Sequence, residues 1–196
     1  SSSSDWNDSL SLSSAAAFKV TQTVTDKDGD TDSATSTNAL NISFLDDGPD
    51  AAADSSAAAV SVSVDESNFT SGSANATISA ADIAALFASA DYGSDGAGSV
   101  SYALSATDGA ATGLFLAGAD TSVAANEIDL VKVSNTQYEG WTNGDNVNGT
   151  KAFTVEINGT TGAVTVTLSA ALEHSTDGSS SSDWNDSLSL SSAAAF

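Results

Sequence analysis

Four aspartates within seven residues, Asp26, Asp28, Asp30 and Asp32, make the densest ligand-bearing cluster of the chain. The string Thr-Asp-Lys-Asp-Gly-Asp-Thr-Asp at 25–32 alternates carboxylates with spacers, and Gly29 permits a sharp turn. Alternate side chains of a curled loop converge. Convergent hard oxygens suit Ca²⁺, which takes six to eight of them at about 2.3–2.6 Å. Carboxylates this close repel one another unless a cation neutralises them. The spacing is not that of an EF-hand, because glycine stands fourth in the loop rather than sixth and Thr37 falls where the bidentate Glu belongs. No glycine-rich calcium β-roll repeat is present either. The competing reading is a solvated acidic hairpin turn.

A second cluster, Asp46, Asp47 and Asp50, surrounds the single proline, Pro49, with Asp54 close behind and Asp65-Glu66 after the next alternating run. At a joint between two β-sandwiches such acids could share ions and lock the joint; as a plain linker they would repel and stay flexible. Asp91 and Asp95 form a weaker third group. Asp108, Asp120, Asp129 and Asp145 read as loop acids.

Catalytic signals are poor, and the chain reads as a non-enzyme with no small-molecule substrate. His174 is the one imidazole, no GxSxG elbow lies near it, and there is no Cys. With 26 acids, any carboxylate pair of glycosidase type is unspecific. Trp6 and Trp184 occupy equivalent positions in a duplicated segment and read as indoles buried at a rim. Tyr138 and Trp141, in a Gly/Asn-rich stretch, read as the better exposed candidates for stacking on a glycan.

The acids stand against four lysines and no arginine, for a net charge of −22. That charge excludes nucleic acid as a partner, since a polyanion offers no counterion release to it, and disfavours an anionic membrane surface. No run of about 18 apolar residues exists to insert in a bilayer, and no signal segment is expected at the N-terminus. High charge with few bulky apolar residues borders on the composition of disordered chains.

The periodicity nevertheless specifies strands. Alternation with period 2 marks 18–24, 40–44, 57–64, 100–104 and 128–133, and 153–157 and 164–168 flank a five-residue Gly-bearing loop as a hairpin. One short helix is expected after Ser79, with Ile83, Leu86 and Phe87 at helical spacing. Short strands with frequent turn signals predict an all-β fold, an Ig-like antiparallel β-sandwich with one short helix.

The strongest signal is a duplication. Residues 1–18 and 179–196 both read SSSSDWNDSLSLSSAAAF, letter for letter. Two explanations compete, a duplication made in cloning and a tandem array sampled a little beyond one period of 178 residues, and the array is the expected one. Pro49 fixes its own φ and restrains its neighbour, so Asp-Asp-Gly-Pro reads as a stiff break. The expected division is 1–46 as the C-terminal strands of one repeat, 47–56 as linker, and 57–196 as the remainder of the next. Orphan strands rarely stay ordered alone. Segment 18–45 is therefore expected to complete a sandwich, within the molecule as a permuted piece or by strand exchange between chains.

These residues resemble a known family. Val-Thr-Asp-Lys-Asp-Gly-Asp-Thr-Asp at 24–32, an alternating strand ending in Asp-Asp-Gly-Pro at 46–49, and Val-Asp-Glu-Ser at 64–67 are similar to the tandem repeats of giant RTX adhesins. The run from Phe153 to His174 is similar to the segment such repeats carry before their tail strands. The resemblance implies a structural extender with Ig-like domains, rigidified by Ca²⁺, that projects a distal ligand-binding region in cell adhesion and biofilm. It implies ion binding at Asp26, Asp28, Asp30, Asp47, Asp65 and Glu66, with Gly29 and Pro49 shaping the backbone. It also implies type I secretion to the bacterial cell surface, with neighbouring repeats of the same polypeptide as partners. The alternative is a glycan-binding adhesin domain using Tyr138 and Trp141.

Overall fold

The computed structural model describes residues 9–13, 16–69, 72–174 and 188–190. Trp6 and Trp184 lie outside them. The fold is all-β, built of antiparallel sheets, with one short helix among the described residues. Contacts divide the chain into two units, Ser1–Ala51 with Ser89–Gly98, and Ala52–Ala88 with Ser99–Phe196.

The first unit is a ribbon. β1 (Ser9–Ser11) pairs with β4 (Ser43–Leu45), and β2 (Thr21–Thr25) pairs with β3 (Thr31–Thr35). Between the two ladders, Leu12 N–H donates to the Ile42 carbonyl (3.3 Å), Leu40 N–H to Phe18 (2.7 Å) and Ser36 N–H to Val20 (2.8 Å). Threonine and serine face each other across β2 and β3, and Thr21 and Thr23 bond Thr35 and Ser33 at 2.9 and 2.8 Å. Every residue of all four strands is exposed.

The second unit holds the core. Six strands follow in the order β5-β10-β9-β8-β7-β6: β5 (Ala74–Ile78), β6 (Ala111–Phe115), β7 (Glu127–Ser134), β8 (Gln137–Thr142), β9 (Lys151–Ile157) and β10 (Val164–Leu168). Opposed residues in an antiparallel ladder share a face. Val164↔Ile157, Val166↔Val155↔Tyr138 and Leu168↔Phe153↔Gly140 therefore line one apolar side, continued by Leu130 and Ile128. The other side carries Thr165, Thr154, Glu156, Glu139 and Trp141 and is wetter. There Lys151 Nζ meets Glu139 Oε1 at 3.1 Å, and Trp141 Nε1 donates to Glu139 Oε2 at 2.8 Å. Within this sheet the alternation gathers Ile128, Leu130, Tyr138, Phe153, Val155, Ile157, Val164 and Leu168 on one face, so a small set of bulky residues makes the core.

The layer over that face is irregular. Segment 57–64, expected as a strand, keeps the alternation, with Val60, Val62 and Val64 half-buried and the serines between exposed, but joins no ladder among the described residues. Segment 100–104 behaves likewise. Tyr102 N–H donates to the Gly159 carbonyl (2.9 Å) and Leu104 N–H to Asn135 (2.8 Å), so its hydrogen bonds go singly to loop ends. Side-chain period reports burial, whereas a strand also requires a continuous backbone partner. Val64, Phe69, Tyr102 and Leu104, together with Leu188 and Leu190, pack against the core.

The helix, α1 (Ala80–Ala84), is shorter than its spacing suggests. Ser79 Oγ caps it by accepting from Asp82 N–H at 3.2 Å, and Ile83 drops into the core. The loop between β9 and β10 closes as expected: Asn158 Oδ1 accepts from Thr160 and Thr161 N–H at 3.0 and 2.9 Å, and Gly162 takes φ +81°.

Candidate functional site

The Asp-rich loop is the turn joining β2 to β3. Asp26 N–H donates to the Asp30 carbonyl (2.9 Å), closing the hairpin, and Gly29 supplies φ +100°, which an L side chain rarely adopts. Asp26 Oδ1 accepts from the N–H groups of Asp28, Gly29 and Asp30 at 3.2, 3.1 and 2.9 Å. The turn is thus an Asx-type cradle that folds the chain back on its first carboxylate. Among the described residues, Asp26, Asp28 and Asp30 form a group of three acidic side chains whose ligand atoms lie within 4.8 Å of one another. A hydrogen bond with the Asp28 side chain, followed by the backbone donors, holds the Asp26 carboxyl below the usual carboxylate range. Such bonds stabilise the charged form. The donor set is all hard oxygen and solvent-facing, and three carboxylates supply up to six oxygens with water to complete a shell. It fits a hard divalent cation.

Asp32, the fourth acid of the cluster, lies on β3 opposite Val24, and its Oδ1 accepts its neighbour Ser33 N–H at 2.9 Å. It does not join the group of three.

The linker acids occupy the other end of the first unit. Asp46 Oδ1 accepts from Asp47 N–H (3.0 Å), and Asp47 Oδ2 accepts from Ser94 Oγ (2.9 Å). Asp50 and Asp91 exchange backbone bonds of 2.9 and 3.3 Å. That pairing brings segment 89–98 against 47–50. Gly93 is required there, since it takes φ +69° and a Cβ would stand 2.2 Å from the Asp47 carbonyl oxygen. Asp50 and Asp91 lie far apart in sequence, and the backbone bridge joins them.

In the second unit, Asp65 and Glu66 take separate tasks. Asp65 caps a single 3₁₀ turn, Glu66–Asn68, and its Oδ1 accepts from Ser67 N–H at 2.8 Å. Bonds from the Ser67 side chain and backbone hold its carboxyl below the usual range. Glu66 reaches 106 positions along the chain, accepting from Leu172 N–H at 2.9 Å, with His174 Nε2 at 3.6 Å from the same Oε1. These contacts fasten the segment after β10 to the segment before β5.

Many remaining acids share one local role that the sequence reading missed. Asp54, Asp65 and Asp120 each stand two residues before a serine that donates back to the carboxylate through its N–H and its hydroxyl. The signal is the spacing Asp-x-Ser. Asp145 does the same with Val147 N–H and the Asn148 amide. All four have pKa values lowered by these bonds. Asp129 is the exception, raised by burial and then by the nearby Glu127 charge.

The expected glycan contacts are corrected in part. Tyr138 lies on β8, 1% exposed, and its hydroxyl donates to the Ala106 carbonyl at 2.9 Å. A ring committed to the core cannot stack on a sugar. Trp141 is half-buried on the wetter face, tied to Glu139. An open cleft between Leu116, Asp120, Asn126 and Asn143 has a single carboxylate, and that one holds Ser122.

Residues 61–195, more than two thirds of the chain, match the family model described as a domain of unknown function, DUF5801. The chain belongs to this family. Its matched region spans the core-bearing sheet and runs on into the second copy of the duplicated segment. No curated protein and no solved structure matches the chain.

Proposed function

We propose that this protein is a calcium-binding structural repeat of a long bacterial surface adhesin, exported by type I secretion, whose tandem copies hold a distal ligand-binding region away from the cell. The observation that carries the reading is the letter-for-letter duplication of residues 1–18 at 179–196, with a match to one family that begins after the first copy and runs into the second. Repetition of an all-β unit suits an extender, because contacts to nearest neighbours lengthen the molecule without adding a new fold. The Asp26–Asp28–Asp30 turn supplies the hard-oxygen donor set, and the acids at 46, 47, 50, 65 and 66 flank the break between units.

The mechanism is coupled folding and stiffening. Where calcium is scarce, carboxylate repulsion at −22 leaves the chain loose. At extracellular calcium of order 10⁻³ M, weak modular sites fill, and each bound ion stabilises the folded state by preferential binding. Calorimetric calcium titration, paired with small-angle scattering of a two-repeat protein, tests this. The expected result is saturable binding and a scattering curve that becomes rod-like with calcium. Identical scattering curves in calcium and in chelator would refute it.

A further inference from the structure

The duplicated segment sits in two environments. In its second copy, Leu188 and Leu190 are half-buried and pack against the core of the second unit. In its first copy the same two leucines are Leu10 and Leu12, on the β1 ribbon, where Leu10 is 74% exposed and Leu12 is half-buried. Leu10 stands directly opposite Phe44, itself 60% exposed, and Leu12 continues the pairing with Ile42. Residues two apart on a strand share a face, as do opposed residues. Leu10, Leu12, Ile42 and Phe44 therefore form one apolar side of the ribbon, exposed at Leu10 and Phe44 and half-buried at Leu12 and Ile42, and Ser9, Ser11, Ser43 and an exposed Leu45 lie on the other. A surface of this kind on a monomer marks a missing partner. The chain itself says which partner, because the identical sequence at 188–190 rests on the 61–174 body, and the family match ends inside that copy.

We propose that the Leu10–Leu12–Ile42–Phe44 face docks on the core-bearing 61–174 body of a second copy, in the slot that Leu188 and Leu190 occupy in this one. In a tandem array that copy is the preceding repeat, so each repeat is finished by the ribbon that leads into the next. Between separate chains the contact is head-to-tail and open-ended. The incoming ribbon replaces a like sequence and brings Ile42 and Phe44 as additional apolar contacts. The inference stands on the duplication and on packing, independently of calcium.

Sedimentation velocity of the full chain over a wide concentration range tests it, in chelator as well as in calcium, with enough salt to screen the −22 charge. The average mass is expected to rise with concentration in both buffers. Leu10→Asp with Phe44→Asp should weaken association at least about tenfold while leaving the thermal unfolding of the body in place. Leu188→Asp with Leu190→Asp, which empties the slot, should move association to lower concentration. A wild-type chain monomeric throughout would overturn the proposal. So would association insensitive to the Leu10/Phe44 pair, or association insensitive to Leu188/Leu190, which would mean that ribbons pair with each other. Failure of calcium to bind would leave the result in chelator untouched, so the two readings fail separately.

Discussion

Gly140 faces Phe153 across the β8–β9 ladder, and the aromatic ring lies over the glycine. A Cβ at position 140 would stand 2.3, 2.6 and 2.7 Å from three ring carbons. Carbon atoms rest at about 3.5–4.0 Å, so the ring or the strand would have to move by about 1.2–1.7 Å. Phe153 is 4% exposed and enclosed by core residues, which leaves the ring little room. Overpacking of this kind costs about 1–3 kcal/mol. Replacing glycine also removes unfolded-state freedom, which returns about 0.4–1 kcal/mol. The net range is about 0–2.6 kcal/mol, and with the nearest ring carbon at 2.3 Å Gly140→Ala should fall in its upper part, at about 1–2.6 kcal/mol, or about 3–10 °C in melting temperature for a body of this size. Phe153→Leu alone should cost about 1–2 kcal/mol in lost burial. Because the smaller side chain gives the new methyl room, the double variant should be more stable than the sum predicts by about 1 kcal/mol. Urea denaturation of the four proteins in chelator measures the cycle. A Gly140→Ala protein within about 0.5 kcal/mol of wild type, or strictly additive costs, would show that ring and glycine do not oppose each other as described.

Asp28→Asn removes one charge from the turn and should weaken calcium binding by about tenfold in calorimetric titration, with urea unfolding of the body in chelator unchanged. Leu188→Ala with Leu190→Ala should destabilise the body by about 1–3 kcal/mol, less than for fully buried leucines, whereas Leu10→Ala at low protein concentration should change its melting by less than about 0.5 kcal/mol. Equal effects at the two copies would contradict their different packing. In chelator, the carboxylates with lowered folded pKa values, Asp26, Asp54, Asp65, Asp120 and Asp145, contribute stability that is present above the unfolded value of 3.8 and is lost as pH falls through their folded values. Asp129 acts in the opposite sense, its cost disappearing as pH falls through its raised value. Acid unfolding followed by circular dichroism should accordingly steepen below about pH 3.8, and Asp65→Asn with Asp120→Asn should flatten it.

The strands that were legible are those whose alternation coincides with a ladder. Segments 128–133, 153–157 and 164–168 carry branched residues on one side, and they became β7, β9 and β10. β8 was hidden because Gly140 breaks its pattern and Tyr138 and Trp141 look like surface aromatics; its inward face works only because Phe153 fills the space that glycine leaves. β5 and β6 are short and rich in Ala, Thr and Gly, so neither offers a bulky period to read. The Asp26–Asp28–Asp30 turn was legible because its ligands are neighbours in sequence and a local turn is enough to gather them. The joining of Asp50 to Asp91, and of Glu66 to Leu172 and His174, was not, because those partners are far apart along the chain.

Sequence alone determined the all-β class, the acidic turn and the duplication, since each depends on side-chain order over a few residues or on plain identity between segments. Tertiary structure decided which alternating segments found backbone partners. It made Tyr138 a core residue, and it left Leu10 of the first copy exposed on a ribbon while Leu188 and Leu190 of the second pack against the core. The physical reason is common to all three. A side-chain pattern fixes which face of a segment is apolar, but burial and hydrogen bonding depend on what the rest of the chain places against that face.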